Sequence, residues 1–308
     1  MPEQSLHMAV YNYVRYNKRS AFEKCINKLK NQGGDKLKKA LHSYDRSKGG
    51  IPIFNVFNRQ LDPPDYEIAI RLLDEGTLPA MRCGEYGASL FHFAISEQRL
   101  SLFRLLLWYE PNYEHVIDNH NKATAQQRVA AWDHECPGFQ SLIEETAADS
   151  KKVREYAGQA EFFLQERKLN HAAHQYAKIG EIYAKHARYE DYDGGQYLKT
   201  YYQKKALPFL QKSEALLHEI TEYPYPDAIV HNHKLILSKL VAICEALGKK
   251  EEALTYKAYR GMLELSLRPQ QNYPIFTVSS ESTAPFLAAA QEILGMQQSL
   301  QQGLNAPF

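Results

Sequence analysis

Apolar residues recur along this chain at spacings of three and four, the period of an amphipathic helix. In IAIRLLDEG (Ile68–Gly76), Ile68 and Leu72 trace one stripe, and in LSLFRLLLWYEPN (Leu100–Asn112), Leu102, Leu105 and Leu106 trace another. FQSLIEE (Phe139–Glu145) continues the pattern. Each stripe can pack against a neighbouring helix pair, and the first two run into a Gly or Asn turn. Runs of alternating Val, Ile and Thr bounded by turn residues do not occur, and IFTVSS (Ile275–Ser280) alone reads as extended. The pattern predicts an all-α chain.

Ahead of the Leu100 stripe stands GASLFHFA (Gly87–Ala94), which answers the signature G-x-T-P-L-H-x-A with Ser89, Leu90 and Phe91 in place of Thr, Pro and Leu. QSLHMAV (Gln4–Val10) repeats the L-H-x-A core, GGIPIFNVF (Gly49–Phe57) keeps Gly and a Pro-aliphatic pair, and NKATAQQRVA (Asn121–Ala130) keeps Thr124. Gly49 to Gly87 is 38 residues and Gly87 to Lys122 is 35, both near the 33-residue period of this repeat. Residues 1–148 therefore resemble a degenerate ankyrin array of about four units, which implies stacked helix pairs that present a binding surface. In this resemblance His7 and His92 take the L-H position, whose side chain bonds within the stack. Glu85 and Tyr86, in the turn before the best-preserved signature, are the contact residues it implies for this half.

From Lys151 the helical pattern lengthens and loses that punctuation. In AGQAEFFLQERKLNHAAHQYAKIG, Ala160, Phe163, Ala172 and Tyr176 fall at the small, aromatic, small, aromatic positions of the tetratricopeptide (TPR) motif. KKALPFLQKSEALL places Ala206 and Leu210 34 residues later, and LVAICEALGKKEEALTYKAY repeats the turn and the small residue at Ala253. The interval from Ala206 to Ala253 is 47, and its surplus of 13 equals the length of TEYPYPDAIVHNH (Thr221–His233), whose two prolines suit an inserted connection. Gly194 and Gly195 favour a loop at DYDGG, followed by a long helix over 196–220 that bends or starts at Pro208. Residues 149–268 thus resemble TPR-like hairpins, and the register turns Arg154, Glu161 and Gln165 toward the concave face. Residues 269–308 read as a linker and a C-terminal capping helix, with Ser282 or Thr283 as its cap and Pro285 in its first turn. A docking or export segment is the rival for that tail.

At 308 residues and 44% apolar the chain has material for two domains in a helical-repeat solenoid. No apolar stretch approaches the 18 residues of a membrane span, and the N-terminus lacks a secretory leader, so the expected setting is the cytoplasm or a host cytosol reached without a classical signal peptide. Net charge is +1 but unevenly spread. Met1–Lys48 carries 11 basic and 4 acidic residues, and Asp62–Asp118 carries 10 acidic and 4 basic. The basic run NKLKNQGGDKLKKAL reads first as the solvated face of a capping helix; contact with an acidic partner, RNA or lipid is the alternative. With an acidic centre to the array, nucleic acid is not an expected partner.

Candidate chemistry is sparse. Cys25, Cys83, Cys136 and Cys244 are widely spaced and read as reduced thiols. His134 and Cys136 in WDHECPG invite a base and nucleophile pairing, but no acyl-transfer signature surrounds them. His171 and His174 share a helix face without two further ligands at structural-zinc spacing, and His231 and His233 have the same weakness. Phosphate-cradling loops and zincin helices have no counterpart. The expectation is a non-enzyme without cofactor or metal; the rival is an effector enzyme whose site hides in WDHECPG or the Asp191–Gly195 loop.

Tyrosine is the residue type that points elsewhere: 12 of the 21 lie between Tyr156 and Tyr259. Tyr176, Tyr183 and Tyr256 read as core, whereas Tyr189, Tyr192, Tyr197, Tyr201, Tyr202, Tyr223 and Tyr225 flank irregular segments and read as exposed recognition residues. Tyr197 and Tyr201 join the predicted protein-binding set. Ankyrin-like units joined to TPR-like helices, rich in Tyr, Asn, Gln and Lys, resemble effectors of intracellular bacteria such as Legionella, and among them the metaeffectors, which bind and restrain another effector. That resemblance implies an adaptor or regulator, monomeric when unbound, whose partner is another protein, itself an effector enzyme. A basic-surface scaffold for lipid or nucleic acid is a further alternative.

Overall fold

A computed structural model describes residues 5–44, 50–57, 66–81, 88–117, 122–135, 137–188, 195–220 and 227–266. These are helical throughout: α1 (Leu6–Tyr16), α2 (Arg19–Asn31), α3 (Gly34–Leu41), α4 (Tyr66–Asp74), α5 (Leu90–Ser96), α6 (Leu100–Tyr109), α7 (Ala125–Glu135), α8 (Phe139–Gln165), α9 (Leu169–His186), α10 (Gly195–His218), α11 (Asp227–Ala246) and α12 (Lys250–Ser266). Short 3-10 segments occupy Pro52–Phe57 and Tyr113–His115. Among the described residues extended pairing is limited to isolated bridge residues, such as the antiparallel bridge between Ile117 and Thr124. The Gly49, Gly87, Gly194 and Ile275–Ser280 readings and the C-terminal capping helix lie outside the described residues.

The ankyrin-like signature has a local physical basis. Ser89 is the N-cap of α5, and its hydroxyl and the His92 ring bond reciprocally to each other's backbone N–H. His92 Nδ1 also meets the Ser89 hydroxyl at 2.9 Å. Thr124 and Gln127 repeat the device before α7: the Gln127 N–H donates to Thr124 Oγ1 (3.1 Å), and the Thr124 N–H donates to Gln127 Oε1 (2.9 Å). The signature's Thr and His positions are thus the two halves of a capping box, which is why Ser and Gln can replace them. In α1 the cap Ser5 bonds to the Met8 N–H, one position off the signature register, while His7 Nε2 reaches the carbonyl of Ser43 at 2.8 Å.

Helix ends share one turn. A backbone N–H reaches back five residues to a carbonyl at Thr77 to Leu72 (3.1 Å) and, at 2.8 Å each, at Arg99 to Ala94, Lys168 to Phe163 and Lys249 to Cys244. The residue before each donor is left-handed, and it is Gly76, Gln98, Arg167 and Gly248 respectively. The turns after α5, α8 and α11 bring the next helix back onto the one just ended, so that α5 packs on α6, α8 on α9 and α11 on α12.

The chain divides at 220/221 into two compact units. In the first, Phe91, Phe103 and Tyr113 form a buried aromatic cluster, with Phe91 and Phe103 centroids 5.1 Å apart and Phe103 edge-on to Tyr113 at 5.4 Å, and Phe57 meets Tyr66 and the half-buried Phe93 in a second cluster. Phe91, which replaces the signature leucine, is fully buried here. The predicted boundary at 148/149 falls inside α8, which packs with α6, α7 and α9. Beyond it the small TPR-like positions Ala160, Ala172 and Ala206 are fully buried, and α10 runs as one helix with Pro208 inside it. The second unit is described through α11 and α12, with Ala253 buried. The predicted connection through His233 is corrected in its last part. Asp227–His233 is the first two turns of α11, because Ile229, Val230 and His233 turn inward at helical spacing.

Candidate functional site

The last turn of α8 holds the most exposed apolar ring of this unit's long hairpins. Phe162 is 55% exposed and lies edge-on to Phe163 at 5.7 Å, and Phe163 packs on the ring of His171 in α9 at 5.2 Å. Glu161 and Gln165 are four apart on the same helix, hence one above the other, and both are exposed. Glu161 accepts a 2.6 Å bond from the Tyr176 hydroxyl, which lowers its pKa, and pairs with Lys212 of α10 at 3.5 Å. Lys212 also sits over the Tyr176 ring, 4.3 Å from its centre. The result is a fixed polar frame on α8, α9 and α10 beside a solvent-facing phenyl ring.

The other predicted residues have different places. Arg154 donates to the carbonyls of Trp108 (3.4 Å) and Tyr109 (2.8 Å), satisfying the last turn of α6 and complementing its dipole. Tyr201 does not share the exposure of Tyr197. It is 9% exposed, with its hydroxyl 3.3 Å from that of Tyr109, whereas Tyr197 is 58% exposed. Tyr202, also read as exposed, is 1% exposed and accepts a 3.1 Å bond from the Trp108 indole. The physical reason is helix spacing: three to four residues after Leu198, Tyr201 and Tyr202 extend the buried face of α10 against α6. Glu85 and Tyr86 lie outside the described residues, as do Cys83, Cys136 and Asp191–Gly194. Thus Glu161 and Gln165 come together on one patch, Arg154 and Tyr201 meet around Tyr109, and Tyr197 begins the opposite end of α10 from Lys212, about 22 Å away along the helix.

Sequence reasoning missed a buried polar junction beneath these surfaces. Arg104, the one charged residue in the apolar α6, donates from Nε to Thr146 Oγ1 at 3.2 Å and from Nη2 to His186 Nδ1 at 2.9 Å. The opposite nitrogen, His186 Nε2, donates to Asp149 Oδ2 at 3.1 Å, and Lys185 and Lys152 also bond to that carboxylate. Trp108 closes the junction, edge-on to His186 at 5.0 Å. Its signals were local: an arginine amid LSLFRLLLWY, and Asp149 on the buried face of α8 between Thr146 and Val153.

With Arg104 donating to Nδ1, the imidazole is neutral and carries its proton on Nε2. Burial pushes the His186 pKa down, the bond to Asp149 pulls it up, and the Arg104 charge pushes it down again; the net is below 6.5. Burial alone would raise Asp149, but hydrogen bonds from His186, Lys185 and Lys152 outweigh it and hold the carboxyl far below 3.8. The sign of both shifts is the same for stability. Below about pH 6.5 the unfolded chain binds a proton that folded His186 refuses, and below about pH 4 it binds one that folded Asp149 refuses. Stability is therefore expected to fall on acidification from about pH 6.5, at up to about 1.4 kcal/mol per pH unit from His186 alone. Urea unfolding between pH 7.5 and 5 checks this. His186→Gln should flatten the slope in that range, and an unchanged slope would assign it to other groups.

A cleft of about 200 Å³ opens between α1, α2 and α4, floored by Tyr13, Phe22 and Ile68 and rimmed by Arg19, Glu67 and Arg71. Arg19 pairs with Glu67, and Arg71 with Glu23 (3.7 Å) and Glu75 (2.8 Å), so the rim charges are already matched. The volume suits one side chain and is below that of drug-sized ligand sites. The described cysteines, Cys25 and Cys244, have thiol pKa values raised by burial, that of Cys244 to about 11, which leaves them poor nucleophiles at neutral pH. No group of three or more potential metal ligands occurs among the described residues. None of their helices is long and apolar enough to cross a membrane. Compared with known protein families, with curated proteins and with solved structures, the chain matches none.

Proposed function

We propose that this chain is a protein-binding adaptor or regulator of the metaeffector kind, an ankyrin-like series running into TPR-like hairpins, that engages and inhibits a partner protein through the end of the α8 and α9 hairpin. The observation that carries the proposal is Phe162, an exposed phenyl ring braced by Phe163 and His171 beside the Glu161 and Lys212 pair. Interfaces concentrate their energy in aromatic anchors seated within a polar rim, and a braced ring loses little entropy on docking. Such a surface needs no chemistry of its own; inhibition follows from occupying the partner's working face.

The test is affinity purification of the full chain from its native cells, comparing the wild type with Phe162→Glu by quantitative mass spectrometry. One protein is expected to be enriched by the wild type and reduced at least thirtyfold by the variant, the loss of a hot spot worth about 2 kcal/mol. Its activity should fall when the purified wild type is added. A partner set that Phe162→Glu leaves unchanged, with circular dichroism confirming the fold, would remove this surface from consideration.

A further inference from the structure

The N-terminal helices carry a second surface of different character. α2 buries Phe22 and Ile26, and Lys24 and Lys28, four apart, stand on the opposite side. α3 buries Leu37 and Leu41 and exposes Lys36, Lys38 and Lys39. The two helices pack on each other across a turn made by Gln32 and Gly33, where Gly33 has φ 112°. Two of the acidic side chains in reach are used inward, Glu23 toward Arg71 and Glu75 toward Lys30. The charge is felt locally: burial and the neighbouring Lys38 both lower the pKa of His42.

We propose that the lysine face of α2 and α3 docks this protein on an anionic lipid bilayer, reversibly and without insertion. The chemistry of the face selects that partner. The five cations that make up the face, Lys24, Lys28, Lys36, Lys38 and Lys39, are all lysines, which act as point charges and lack the bidentate fork by which arginine reads guanine or phosphate pairs; Arg19, also exposed on α2, is paired with Glu67. The one aromatic residue on either helix, Phe22, is buried, so α2 and α3 offer no row of rings on which successive unpaired bases could stack. Lysine and asparagine make up the outer side of α2, the composition least suited to the core of a protein interface. A bilayer rich in phosphatidylserine asks for neither fork nor anchor; it attracts lysines held near its surface through its own potential. Tyr44, 49% exposed three residues past α3, supplies a ring of the type that settles at headgroup depth.

The experiment is flotation of the full-length protein with vesicles of phosphatidylcholine alone or with 30% phosphatidylserine, at low and at physiological salt. Binding is expected on the anionic vesicles only, and it should weaken several-fold between 50 and 150 mM salt as the Debye length shortens. Each lysine changed to glutamine should reduce partitioning about fivefold, so Lys24→Gln, Lys28→Gln, Lys36→Gln and Lys39→Gln together should abolish it. The same four positions changed to arginine should retain it, which separates charge from fold. Equal binding to both vesicle types, no binding to anionic vesicles at low salt, or a glutamine variant that still floats would each overturn the proposal. So would tighter binding to a single-stranded RNA oligonucleotide than to the vesicles. Because Phe162 lies elsewhere, Phe162→Glu should float like the wild type, which keeps this result independent of the partner-binding test.

Discussion

Asp149→Ala is expected to cost about 3–5 kcal/mol of stability in the unit formed by residues 1–220, the largest effect of any single substitution proposed for this protein. The carboxylate bonds to His186, Lys185 and Lys152 at the junction, with Arg104 on the far side of the imidazole; Lys185 keeps a second anion in Glu145 at 2.7 Å. Taking it away leaves a buried guanidinium and an ammonium near one another, and leaves His186 Nε2 without the acceptor that fixed its tautomer. Lys152 and Lys185 are half in solvent and can turn outward, so most of the loss falls on Arg104 and His186, which cannot. Urea unfolding followed by circular dichroism reads the change as a drop in midpoint at constant slope. Arg104→Met combined with Asp149→Ala should recover part of the loss, because an apolar pair demands no counter-charge. A cost below about 1 kcal/mol for Asp149→Ala would mean that water enters the junction and screens it.

Gly180→Ala should also destabilise, by about 1–3 kcal/mol, although alanine is the better helix former. A Cβ at 180 would lie 2.5 Å from Leu210 Cγ and 2.7 Å from its Cδ2. Leu210 is fully buried and Cγ is its branch point, so the clash cannot be relieved by rotating a free tip. The two helices are also pinned nearby, where the Ser213 hydroxyl donates to the Ala173 carbonyl at 2.7 Å. Gly158 in α8 is the matched control, since a Cβ there meets nothing within 4 Å. Gly158→Ala should raise stability by about 0.5–1 kcal/mol. Thermal melts of the two variants side by side check both signs. A stabilised Gly180→Ala would show that α9 and α10 stand further apart than 2.5 Å implies.

Local patterns made the helices and their close-packing positions legible. The run Ala160, Ala172, Ala206 and Ala253 declares itself by spacing, whereas the capping pairs Ser89 with His92 and Thr124 with Gln127, though local, were hidden beneath the repeat signature. Exposure was harder to read. Tyr197, Tyr201 and Tyr202 look alike in sequence, and only the packing of α10 against α6 separates the outward ring from the two inward ones. The junction was hidden for a related reason. Arg104 finds its partners 42 and 82 residues away, and no periodicity along the chain pairs such distant groups. Glu161 and Gln165, four apart, share one flank of α8 as helical spacing requires; the exposure of Phe162 between them has no such local signal, because adjacent phenyl rings at 162 and 163 look alike in sequence.

The recurrent turn at Gly76, Gln98, Arg167 and Gly248 bears on how this protein changes over generations. Its closing bond runs between backbone atoms, so glycine, glutamine and arginine serve at one geometric position, and the caps accept serine or threonine with histidine or glutamine as their mate. At these four turns the closing bond is therefore made by groups that mutation does not alter. Side chains at these positions are left free to change while the turn beneath them persists.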